Sequence, residues 1–80
     1  MNPKYFRNDF HGILFHVVQE ASEVTKEAMK IAMYGLDSFN PELPIEQRET
    51  NRHALLREID DLRHHLDRLY LATQNEKENT

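Results

Sequence analysis

The sequence predicts an all-α protein, a long helical hairpin that dimerises into a four-helix bundle. Three observations predict it. Two long stretches repeat apolar residues at three- and four-residue spacings, the period of a helix buried along one stripe. Only two glycines and three prolines occur in 80 residues, and the prolines fall outside both stretches, which favours long helices over sheet. A chain this short has a modest core, and without cysteine it has no disulfides, so a metal or self-association has to supplement the core.

Residues 1–9 read as an irregular lead-in, with Asn8 or Asp9 as the N-cap of the first helix. That helix is expected over residues 10–34, its stripe including Phe10, Ile13, Val17, Val24 and Ile31. Gly35 is its natural stop, because glycine takes the left-handed conformation at a helix C-terminus. Residues 36–44 form a connection rich in turn formers, and Asn40 before Pro41 is biased away from helix. Pro44 fits the first turn of the next helix, whose start falls between Pro44 and Thr50. Leu55, Ile59, Leu62, Leu66 and Leu69 make the second stripe, with Leu56 and Tyr70 at its margin. The second helix is expected to end at residues 71–73. One hairpin domain thus spans residues 10–72, and residues 73–80 form a polar, frayed tail. Each helix carries more apolar surface than one neighbour covers, which is the reason to expect at least a homodimer.

The net charge is −4, from 14 acidic and 10 basic side chains. That balance argues against a nucleic-acid polymer as partner, since phosphate backbones need a basic patch. No apolar run reaches the length of a membrane span, and no basic stretch followed by an apolar run suggests a signal peptide. The expectation is a soluble, cytoplasmic protein without a membrane partner.

Two acidic pairs carry the functional signal. Glu20 and Glu23 are three apart on the first helix, and Glu58 and Asp61 on the second. Residues at that spacing share a helix face. Each pair flanks its apolar stripe, so two helices side by side can bring four carboxylates together. Such a cluster needs a countercharge, and a hard divalent cation such as Mg2+ suits oxygen ligands. Asp60 points roughly 160° away from Glu58 on the wheel, which leaves Asp61 as its partner. His16 and His65 lie on the same flanks. An ordinary solvated flank has the same look: Glu23 and Glu27 can pair with Lys26 or Lys30 as surface ion pairs.

The segment Val18-Gln19-Glu20-Ala21-Ser22-Glu23-Val24, followed by Leu56-Arg57-Glu58-Ile59-Asp60-Asp61-Leu62, resembles the MazG-like family of all-α nucleoside triphosphate pyrophosphohydrolases. The stretches Lys30 to Asp37 and Asn51 to Asp61 are similar to its small phage and bacterial members. The resemblance covers roughly residues 13 to 70. It implies hydrolysis of a nucleoside triphosphate between the α and β phosphates, giving the monophosphate and pyrophosphate. It implies Mg2+ held by Glu20, Glu23, Glu58 and Asp61, which are also the catalytic residues. Lys30 lies near the acidic flank and can meet a phosphate as a point charge, although an ion pair with Glu23 or Glu27 is the commoner role at its position.

The chain departs from the family in three respects. Gln19 stands where a further glutamate is frequent. The run Arg63-His64-His65 is polar where members continue apolar. Members usually have extra helical material, so contacts from it would come here from another subunit. These departures keep a second expectation in view, a catalytically inactive helical module that binds a nucleotide or a protein without hydrolysis. A third, a carboxylate-bridged iron or manganese protein suggested by Asp61-x-x-His64, lacks an equivalent on the first helix. Nothing supports a serine or cysteine nucleophile or a glycine-rich phosphate loop.

Overall fold

The structure, a computed structural model, describes residues 10–76. It is all-helical there, with no strand among the described residues. Helix α1 spans Phe10–Tyr34 and α2 spans Asn51–Asn75, with a single 3₁₀ turn over Ile45–Gln47 between them. The two helices pack on each other as a hairpin. The lead-in over residues 1–9, with the N-cap expected at Asn8 or Asp9, lies outside the described residues.

Local chemistry sets the ends. At the C-terminus of α1 the Gly35 N–H donates to the Ile31 carbonyl at 2.8 Å, and Gly35 has φ +93°. That left-handed backbone is what glycine provides, since L side chains meet steric strain there. Helix α2 begins at Asn51, and its first backbone donors all find acceptors. Asn51 N–H donates to the Ser38 carbonyl at 2.9 Å and Arg52 N–H to the Leu36 carbonyl at 2.7 Å. His53 N–H donates to the Thr50 hydroxyl oxygen at 3.2 Å, making Thr50 the N-cap. The connection therefore closes onto the helix it introduces. The Asn51 side chain also donates to the Gly35 carbonyl at 3.0 Å, and Arg52 forms a two-pronged pair with Asp37 at 3.0 and 3.2 Å.

Pro44 precedes the 3₁₀ turn rather than opening α2. Nor does α2 stop at residues 71–73. It continues to Asn75, because no glycine or proline follows position 44 to break it. Residues 73–75, read as tail from the sequence, are helical.

The interior is small. Ala54 is the one buried hydrophobic residue among those described, and Glu27 and Glu58 are the buried charged ones. Ile13, Val17, Val24 and Ile31 on α1 and Leu55, Leu62 and Leu69 on α2 make up a half-buried seam between the helices. Other large apolar residues stay open: Leu14, Val18 and Met29 on α1, and Leu56, Leu66 and Tyr70 on α2 are all exposed. At about 100° per residue these fall on one broad side of the hairpin, and the acidic flanks of both helices fall on the other.

Candidate metal centre and adjoining cavity

The acidic side of the hairpin carries a cleft of about 530 Å³, lined by Gln19, Glu20, Ser22, Glu23, Arg57, Glu58 and Asp61. Both acidic pairs thus face one cleft. Helix geometry explains why. Glu20 and Glu23 are one turn apart on α1, Glu58 and Asp61 one turn apart on α2, and the hairpin sets these turns at the same height.

Within the cleft, Glu20, Glu58 and Asp61 each offer an oxygen, and these three oxygens lie within 4.8 Å of one another. Glu23 lines the cleft but stands outside this trio. Asp60 is exposed and pairs with Arg63 at 3.8 Å. Glu58 is buried, Glu20 half-buried and Asp61 exposed, so the group opens from the seam towards solvent. Burial pushes the Glu58 carboxyl above the ordinary glutamate range; Arg57 pulls against this, while the charges of Glu20, Asp61 and Glu23 push the same way. Converging hard oxygen donors with too little countercharge suit a hard divalent cation. Glu20, Glu58 and Asp61 are the residues that could hold such a cation, their arrangement does not single out a particular ion, and Glu23 lies within the same cleft.

A ring pair backs this group. His65 Nε2 lies 3.7 Å from Glu20 Oε1, beyond hydrogen-bond length. The His16 ring stacks on His65 with centroids 5.4 Å apart and planes 13° from parallel. His64 is exposed and meets His65 edge-on. No histidine joins the oxygen trio.

Lys30 is placed one step along the hairpin. It lines a second cavity of about 620 Å³, together with Glu27, Tyr34, Phe39, Asn51 and Arg57 among others. Its ammonium lies 3.5 Å from Glu27 Oε1, the pairing expected for a lysine at that spacing. Glu27 is only 6% exposed, and this oxygen is buried without a hydrogen bond. Glu27 is therefore buried, whereas the ordinary reading of the sequence pattern has it as a surface partner of Lys26 or Lys30.

Arg57 also lines the acidic cleft and is absent from the residues the sequence singled out. Its Nη1 donates to Glu58 at 3.2 Å, and Nε and Nη2 donate to Glu49 at 3.3 and 2.9 Å. Arg57 holds the Glu49 carboxyl below the ordinary range through those hydrogen bonds. A signal was available: Arg57 is four residues before Asp61, hence on the acidic flank. No family model matches the chain, and no curated protein or solved structure matches it.

Proposed function

We propose that the protein is a Mg2+-dependent nucleoside triphosphate pyrophosphohydrolase, cleaving its substrate to the monophosphate and pyrophosphate. The observation that carries this reading is the convergence of Glu20, Glu58 and Asp61 oxygens within 4.8 Å, drawn from both helices. The family resemblance of the two acidic pairs supplies the reaction. Glu20, Glu58 and Asp61 would hold the cation, with Glu23 completing the acidic wall. A bound Mg2+ supplies charge neutralisation for the phosphates and a more acidic water. In the reaction, the water oxygen bonds to the α-phosphorus as the bond from that phosphorus to the bridging oxygen breaks. Pyrophosphate leaves with that oxygen. An acid of the cleft not committed to the cation takes the water's proton, and that Glu23 lines the cleft outside the trio supports it in this role.

The active form in this reading is a cytoplasmic homodimer or dimer of dimers. Two hairpins stack their apolar broad sides into a four-helix bundle. Support comes from the exposed Leu14, Val18, Met29, Leu56, Leu66 and Tyr70 against a single buried Ala54. Because the acidic cleft lies on the other broad side, this stacking leaves it open to substrate.

One observation favours binding without hydrolysis: Arg57 lies 3.2 Å from Glu58 and supplies part of the countercharge that a cation would otherwise bring. Product analysis separates the two readings. Incubation with Mg2+ and each common nucleoside triphosphate is expected to yield the monophosphate and pyrophosphate in equal amounts. Diphosphate and inorganic phosphate, or no turnover of any triphosphate by folded protein, would overturn the hydrolase reading.

A further inference from the structure

The acidic cleft and the 620 Å³ cavity are successive compartments along one side of the hairpin, and Arg57 is the single residue that lines both. The side chain is half-exposed, so its charge is accessible from either side. Its three hydrogen bonds to Glu49 and Glu58 use three of the five N–H donors of a guanidinium. Two donors remain for a ligand, on the residue best suited to forked contacts with phosphate. The cavity beyond has a different character. Tyr34, Phe39 and Leu43 give it apolar wall, and Asn51 and Lys30 give it polar groups. An acidic cleft repels polyphosphate unless cationic groups stand at its edge, and Arg57 stands there.

We propose that Arg57 is an anion-binding residue that joins the two compartments into one elongated site. Its ligand is a polyphosphate ester, with phosphates across Arg57 at the acidic cleft and the esterified body in the adjoining cavity. Glu49 competes with that ligand for the guanidinium. This inference rests on the function proposed above and names the residue that receives the phosphates.

The opposing view makes Arg57 a strut that ties Glu49, at the foot of α2, to Glu58. The two views differ in sign. The probe is inorganic tripolyphosphate, titrated calorimetrically into the full chain with Mg2+ present, and Mg2+ alone is titrated separately. Arg57→Gln is expected to weaken tripolyphosphate about tenfold, the size of one charge-assisted contact, with Mg2+ affinity undiminished. Glu49→Gln is expected to tighten tripolyphosphate, and that gain should vanish in the double variant, because Arg57 carries it. Equal binding by wild type and Arg57→Gln would overturn the inference while leaving the metal centre standing. So would a gain from Glu49→Gln that persists without Arg57. Should Arg57→Gln not fold, Arg57→Lys takes its place in the same cycle, because it keeps the charge and loses the forked donors: weaker tripolyphosphate binding supports the inference, and binding equal to wild type overturns it. Absence of both Mg2+ and tripolyphosphate binding by the wild type would remove the underlying function as well.

Discussion

Glu58 is buried beside Glu20, Glu23 and Asp61, and its titration should report that crowding. Its carboxyl releases its proton at a higher pH in the folded chain than in the unfolded one. The folded state therefore keeps the proton across a window where the unfolded state has lost it. The stability this group contributes is full below the ordinary glutamate range and is lost as pH rises through the raised value. Asp37 and Glu49, held low by Arg52 and Arg57, act in the opposite sense, so the informative quantity is a difference. Metal-free Glu58→Gln should gain stability over wild type as pH rises from about 4 to about 7, measured by urea unfolding. A gap that narrows with rising pH would contradict the placement of Glu58. Under the proposed hydrolase reading, the same substitution should lower turnover by about 10²-fold or more, since it removes a charged group from the proposed metal site. At this scale the sequence was informative about Glu20, Glu58 and Asp61, because a fixed three-residue spacing determines a shared face. It placed Arg57 on the acidic flank, four residues before Asp61, but not its pairing with Glu49, a residue eight positions away that the folded connection brings near.

The two helices were legible as elements because their apolar period survives over 25 residues each. The foot of α2 was not. Thr50 caps it, and the carbonyls of Leu36 and Ser38 complete the cap from across the turn. Such long-range hydrogen bonds leave no period in the sequence. Thr50→Ala should cost about 1 kcal/mol, whereas Thr50→Ser should cost little, because a serine hydroxyl accepts the same bond. Gly35→Ala should cost about 1–2 kcal/mol through its positive φ. No atom lies within 4 Å of where an alanine Cβ would sit, so strain and not crowding is the cause. Denaturant unfolding of the three variants measures all of this. Equal losses for Thr50→Ala and Thr50→Ser would show that the hydroxyl is not the cap.

As a whole molecule, the hairpin is two-sided. Its acidic cleft occupies one broad side, and large apolar residues crowd the other. Among the described residues the hairpin has one buried hydrophobic side chain, Ala54, and the proposed bundle would add to so small a core. Thermal unfolding should therefore shift upward with protein concentration, as it does when association stabilises the native state. Met29→Glu with Leu66→Glu, both on the exposed side, should dissociate the assembly and reduce helicity together. Sedimentation and circular dichroism read those two effects, and a helical monomer would contradict the bundle. Among the described residues, no helix is long and apolar enough to cross a membrane. The hairpin was legible because two apolar periods separated by a turn-rich connection are properties of the sequence itself.

The metal centre is tested most directly by a Mg2+ titration of wild type beside Glu58→Gln, Asp61→Asn and Asp60→Asn. The adjacent aspartates are the control, because Asp61 belongs to the oxygen trio and Asp60 faces solvent beside Arg63. Wild type and Asp60→Asn are expected to show one saturable Mg2+ site, lost in Glu58→Gln and Asp61→Asn. Equal loss from both aspartate variants would reduce the cleft to a diffuse negative surface, and no saturable Mg2+ binding by the wild type would contradict the metal centre itself.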